Sequence, residues 1–142
     1  MFARPRVGRL LGMSTAHAQL RFSIEHWAAF WDSPHPDLAG RVVTPDVVGH
    51  CPGDTEPARG VTQYKQRIAR LLERIPDLRL EVAEYASNGD FLFVHWIAHG
   101  TGPSGPFTFS GVDRIRLRDG LVKEIRAYYD PSHLDSPLGR ST

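Results

Sequence analysis

The chain has 142 residues, 41% of them hydrophobic, with 17 Lys and Arg against 16 Asp and Glu for a formal net charge of +1. That length fits one domain with a real core, and a charge so near zero argues against a nucleic-acid-binding surface. The single cysteine, Cys51, excludes an intramolecular disulfide and a Cys-rich zinc site, and no apolar run approaches membrane-spanning length.

Residues 1–17 carry Arg4, Arg6 and Arg9 with little periodicity and no long apolar segment of the secretory kind. A flexible extension and a cytoplasmic location are expected. Leu20, Ile24, Trp27, Ala28 and Trp31 recur at three- and four-residue spacing, which predicts an amphipathic helix over 18–32. Ser33-Pro34-His35-Pro36 breaks it. Asp37 is placed to cap a short second helix holding Leu38 and Val42, which Thr44-Pro45 ends. Val47 to Cys51 reads as a short strand and Pro52 to Arg59 as a loop. A third helix carries Tyr64, Ile68, Leu71, Leu72 and Ile75 on one face and stops at Pro76.

Beyond Pro76 the period changes. Leu78, Leu80 and Val82 alternate with Arg79 and Glu81, Asn88-Gly89 is a turn signal, and Phe91 to Gly100 is a long apolar strand. Thr101 to Gly105 reads as a Gly/Pro loop. The run from Gly111 to Asp130 folds about Asp119-Gly120, the strongest short-range hairpin signal. Helices first and a meander behind predict an α+β fold. Three helices would pack on a curved antiparallel sheet and enclose a cone-shaped pocket for a small molecule. The domain is expected to span 18–133, with 134–142 as a C-terminal tail.

Chemistry enters on the strand before Asp119. Alternation puts Phe107, Phe109, Gly111, Asp113, Ile115 and Leu117 on one face, so Asp113 sits among core residues, where an ionised carboxyl is costly. Projected onto the same cavity are Val48 and His50, then Phe91, Phe93, His95, Ile97 and His99, then Ile125, Ala127 and Tyr129. His50, His95 and Asp113 would converge as the catalytic candidates. His50 could act as general base, since neutral imidazole titrates near working pH, while Asp113 or His95 orients it or stabilises an enolate. Trp27, Trp31, Tyr64, Phe93, Phe109 and Tyr129 would supply aromatic walls for substrate.

Each of these has a structural alternative. Asp113 can be a buried acid satisfied by backbone or by an Arg, and His50 a packed core histidine. His95 turns outward if the register slips by one residue. The three aromatics Trp27, Trp31 and Tyr64 can be plain core. His50, His95 and Asp113 also have the composition of a two-His-one-carboxylate metal site. His95 and His99, by contrast, lie roughly 13 Å apart at about 3.3 Å per residue and cannot share an ion. No metal and no cofactor are expected. Arg114, Arg116 and Arg118 form a basic stripe that is solvated or faces a partner in a homodimer, with Glu81 and Glu84 available to pair across it.

Several segments together resemble a known superfamily. They are the helix with Trp27 and Trp31, VVGHCPG ending at Gly53, Gly60, IPDL from Ile75 to Leu78, FVHWIAHGT, and RIRLRDGLVKEIRAYYD. In this order they resemble the nuclear transport factor 2-like superfamily, in its SnoaL-like (polyketide cyclase) and ketosteroid-isomerase-like branch, over roughly residues 18–133. The resemblance implies a small hydrophobic substrate, no cofactor and a homodimer, with neither nucleic acid nor membrane as partner. Asp113 falls on the position where ketosteroid isomerases keep a protonated acid that donates to a developing oxyanion. The place of their general base holds His50-Cys51-Pro52, and their first-helix Tyr has no match. Limonene-epoxide hydrolases need charged groups where this chain has His95-Trp96-Ile97 and Ala127, so that mechanism is not expected. The resemblance implies cofactor-independent acid/base catalysis on a hydrophobic carbonyl or polycyclic compound: cyclisation, isomerisation or dehydration. The alternative is a non-catalytic ligand-binding or dimerisation module of the same fold.

Overall fold

The computed structural model describes residues 23–134. The expected extension, the start of the first helix and nearly all of the expected tail lie outside them. The first helix (α1) occupies residues 23–32 and buries Ile24, Trp27 and Trp31 of the expected stripe; Ala28 is half-buried, and Phe30, not part of that stripe, is buried beside them. A 3-10 helix, Pro36–Arg41, follows. Its cap is His35 rather than Asp37: the His35 ring nitrogen accepts from the Asp37 backbone N–H at 3.2 Å.

Strand β1 runs Val43–His50, so Thr44-Pro45 lies inside a strand instead of ending a helix. Pro45 is exposed and sits at a register irregularity, where no ladder bond is needed from it. The two-residue strand β2 (Ala58–Arg59) leads into helix α2 (Gly60–Arg74). Gly60 takes φ 83°, and the Arg59 N–H donates to the Gln63 side chain at 2.8 Å in place of a side-chain cap. α2 buries Tyr64 and Ile68 and ends before Ile75-Pro76, as its stripe requires. Then come β3 (Arg79–Asn88), β4 (Phe91–Gly102), β5 (Gly105–Arg118), β6 (Leu121–Tyr128) and a short helix, α3 (Ser132–Leu134).

The six strands form one curved, unclosed sheet in the order β2-β1-β6-β5-β4-β3. Its neighbours are antiparallel except β1 and β6, which pair in parallel, so the sheet is mixed and not wholly antiparallel as expected. The Asp119-Gly120 turn has positive φ at both residues, 54° and 81°, the geometry that the hairpin signal demands. Ser23 on α1 donates to the Gly120 carbonyl at 2.8 Å, tying the first helix to the last hairpin.

The core lies between the concave sheet face and the helices. From β4 it takes Leu92, Val94, Trp96 and Ala98, each 4% exposed or less. This is the opposite parity to the one expected: Phe91, Phe93, His95, Ile97 and His99 share the outer face. Both faces of β4 are apolar enough to be buried, and the two imidazoles decide between them. Outside, His95 meets Glu84 at 3.2 Å and His99 meets Glu81 at 2.9 Å; inside, both would be desolvated and separated from these carboxylates. The basic stripe pairs elsewhere, with Arg114 near Glu124, Arg116 near Asp90 and Arg118 on Asp46.

Trp96 lies across Gly111, its register partner on β5. A Cβ at Gly111 would stand 2.6 Å from Trp96 Cη2 and 2.7 Å from the Tyr128 carbonyl oxygen. Backbone sits on one side and a packed indole on the other, so neither yields cheaply. Gly111→Ala is expected to destabilise the fold by about 1–3 kcal/mol in urea unfolding, with an altered tryptophan emission spectrum in the folded state. A variant with wild-type stability and spectrum would refute this packing.

Candidate active site

Asp113 sits midway along β5, paired with Val94 on one side and Ala127 on the other. Alternation turns its carboxyl inward, where it is 4% exposed. It borders a cavity of about 100 Å³ under the curved sheet. Ile68 and Leu71 of α2, Leu78 and Ile125 give this cavity aliphatic walls. Trp31, Tyr64, Trp96, Phe109 and Tyr129 give it aromatic ones, and Trp96, Phe109 and Tyr129 meet one another at centroid distances of 5.8 to 6.1 Å. Leu134 of α3 closes part of the wall, and His133 stacks on Phe109 at 5.3 Å.

Burial governs the electrostatics here. It pushes the Asp113 carboxyl up to about 7, while the neighbouring Trp96 indole pulls the other way by favouring the carboxylate. That indole N–H nonetheless completes no hydrogen bond, and neither does the buried N–H of Trp31. The Tyr64 phenol is held well above its ordinary value by burial, with the Asp113 charge adding to the effect. Tyr129 is raised for the same first reason. Burial lifts the Cys51 thiol to about 11, which makes it a neutral group and not a nucleophile. Thus the wall offers one acid that titrates near neutrality, surrounded by donors that stay protonated.

Arg67 is the functional residue that the sequence reading missed. Its Nη1 donates to the Gly49 carbonyl at 2.9 Å and approaches Cys51 Sγ at 3.6 Å, while Nη2 grips the Asp54 carboxylate. The signal existed: Arg67 stands three residues after Tyr64 and four before Leu71, inside the apolar stripe of α2.

Five of the expected residues meet at the cavity: Asp113, Trp31, Tyr64, Phe109 and Tyr129. Trp27 does not; it packs in the core edge-on to Trp31, with centroids 6.0 Å apart. Phe93 and His95 lie on the outer face of β4. His50 is a subtler correction. The chain borders the cavity at His50, but Gly49 is the residue directed inward: a Cβ there would contact Ile125, Tyr64 and Arg67. The His50 ring therefore takes the opposite face, near Arg126 and Glu124, and burial and then Arg126 hold it below its ordinary value. Cys51, one residue on, faces the cavity and Arg67. With His50 and His95 outside and Asp113 inside, the three cannot ligate one ion. No group of three or more His, Cys, Asp or Glu among the described residues could do so either.

At its mouth the cavity runs into a larger groove of about 680 Å³ between the β1–β2 loop, α2 and α3. Cys51, Arg67, Leu71, Tyr129 and Leu134 belong to both.

Solved structures of the same shape exist. A Catenulispora acidiphila protein with a ketosteroid isomerase-like fold, crystallised with trimethylamine, superposes with TM-score 0.72 at 20% identity, covering 82% of this chain and 92% of that one. A Jannaschia protein assigned to the SnoaL-like polyketide cyclases gives 0.70 at 21%, covering 84% and 93%. Wild-type IdmH of Streptomyces antibioticus, assigned as a polyketide cyclase, gives 0.69 at 23%, covering 82% and 96%. Among curated proteins, mouse ethanolamine-phosphate cytidylyltransferase is 31% identical over an alignment of 71 positions that covers 47% of this chain. It spans only 18% of that protein. The SnoaL-like polyketide cyclase family model matches residues 22–136, which takes in every strand and helix described above, and the chain belongs to that family.

Proposed function

We propose that the protein is a cofactor-independent acid/base enzyme for a hydrophobic carbonyl compound, catalysing a cyclisation, isomerisation or dehydration through an enol or enolate. One observation carries this reading: a single carboxyl, Asp113, is buried in an apolar cavity, where burial pushes its pKa up to about 7. A group with that pKa holds both protonation states in useful amounts at neutral pH, the optimum for moving a proton to and from carbon or oxygen. In its neutral form Asp113 donates to a substrate oxygen as charge builds there; in its ionised form it accepts the proton alpha to the carbonyl. Tyr64, held neutral, supplies a second donor. His50 has no role in this scheme. A second reading, ligand binding without turnover, is favoured by the placement of His50 and His95 outside the cavity, which leaves Asp113 without a partner base.

Proton exchange separates the two. Wild-type protein in deuterated buffer near neutrality is expected to accelerate exchange of the alpha protons of 2-tetralone, followed by NMR. Asp113→Asn is expected to lose about 10²- to 10⁴-fold of that acceleration. His50→Ala is expected to keep it within a few-fold. Bound ketone that exchanges at the solvent rate with wild-type protein would establish the second reading instead.

The protonation state itself leaves a thermodynamic trace. An aspartate in the unfolded chain titrates near 3.8. Between there and about 7 the folded protein holds a proton that the unfolded chain has lost, so stability falls as pH rises through that window. Asparagine mimics the protonated acid at every pH. Asp113→Asn is therefore expected to match wild type near pH 4 in urea titrations and to exceed it by up to roughly 4 kcal/mol near pH 8. Parallel stability curves at both pH values would show that Asp113 is ionised throughout.

A further inference from the structure

The cavity holding Asp113 is small, at about 100 Å³, and the groove at its mouth is several times larger, at about 680 Å³. A substrate that places a carbonyl carbon at Asp113 and exceeds one or two rings must extend into that groove. The two compartments differ in chemistry. The cavity is lined mainly by aliphatic and aromatic groups. The groove is walled by Arg67, Arg70 and Arg74, which stand at three- and four-residue spacing on one face of α2. Two carboxylates, Asp54 and Glu56, also line it.

These charges are not equally available. Asp54 is neutralised by Arg67, which spends its other nitrogen on Gly49 and Cys51. Arg74 has an interaction partner of its own. Arg70 lies between them, exposed, with no acidic partner among the described residues. Glu56, on the loop facing the helix, is the groove's other charge without a partner among the described residues. An arginine with no acidic partner among the described residues, in the wall of a groove that shares five lining residues with the apolar cavity, can receive an oxyanion through charge-assisted hydrogen bonds.

We propose that the groove is an anion subsite, in which Arg70 binds a carboxylate on the substrate while the carbonyl-bearing ring occupies the cavity. This rests on the reading of the cavity as the reaction site and extends it to the substrate's shape: an amphipathic molecule, apolar at the reacting end and acidic at the other. Arg70 selects the acid over neutral relatives and fixes which end enters first.

The probe pair is 3-(2-naphthyl)propanoate and its primary amide, equal in shape and different in charge. Calorimetric titration near pH 6 keeps the probe ionised while leaving Asp113 largely protonated, so repulsion inside the cavity does not mask attraction at the mouth. Backbone-amide NMR shifts at Gly49 and Ala127 report entry of the ring. Wild-type protein is expected to bind the acid about tenfold more tightly than the amide at low salt, and less selectively in high salt. Arg70→Gln is expected to remove the preference and Arg70→Glu to reverse it, while both bind the amide as wild type does, which also shows that they are folded. Arg114→Gln, on the outer sheet face, is expected to keep the preference. Equal affinity for acid and amide in wild type, or a preference that survives Arg70→Gln, overturns the anion subsite and leaves the apolar cavity standing. Failure of either probe to shift Gly49 or Ala127 overturns both.

Discussion

A carboxyl group held in an apolar cone is the constraint around which the rest of the molecule is arranged. Strand alternation leaves Asp113 no choice of face, and its place between β4 and β6 denies it an edge through which to reach water. A positive charge beside it would ionise the acid. Tyr64, Tyr129 and Cys51 supply none: burial keeps them neutral, and as anions they would only raise the Asp113 pKa further. Arg67 is the cation that could supply one, since a guanidinium beside the carboxyl would drive the pKa down. Its charge is committed instead to the Gly49 carbonyl and to Asp54 at the mouth. The β1–β2 loop thus engages, through Asp54, a positive charge in the cavity wall.

Size and polarity divide the interior into a dry inner chamber and a wet outer one. The aromatic trio of Trp96, Phe109 and Tyr129, whose rings meet edge-on or tilted, forms one wall of the inner chamber. Two indole N–H groups, from Trp31 and Trp96, are buried in that wall without acceptors. Each such orphan costs about 1–3 kcal/mol, so the fold carries an unfavourable term beside its acid.

Much of this was legible before any coordinates. The stripes of α1 and α2 follow a 3.6-residue period and the inner face of β5 follows a period of two, while a bulge in β6 beyond the Asp119-Gly120 turn shifts its parity between Val122 and Ile125. Asp113 could be found because one charged residue interrupts an otherwise apolar face. The parity of β4 was not legible. Both of its faces are hydrophobic, and the outer one is made tolerable by features distant in sequence: Glu81 and Glu84 for the imidazoles, and the guanidinium groups of Arg114 and Arg116 over Phe91 at 4.6 and 4.8 Å. β1 failed for a different reason. Its inward position next to the site is Gly49, and a residue without a side chain leaves no mark in a hydrophobic pattern. Arg67 was hidden by its type, because an arginine within an apolar stripe reads as a snorkelling surface residue until its partners are known.

The single parallel pairing has a bearing on how the molecule comes into being. β3 to β6 is a meander in which each strand pairs with the one just made, so Asp113 is positioned by contacts between near neighbours in the chain. β1 cannot pair with β6 until residues 121–128 exist, and Tyr64, Cys51 and Arg67 are oriented through that late closure. On a ribosome, the helices and β1, which supply part of the cavity wall, emerge first and wait for the sheet that supplies the rest. Long-range closures of this kind are entropically slow. Until the last hairpin docks, the apolar faces of α1 and α2 stand open to solvent, making the nascent chain, and not the finished protein, the form most exposed to aggregation and most in need of a chaperone.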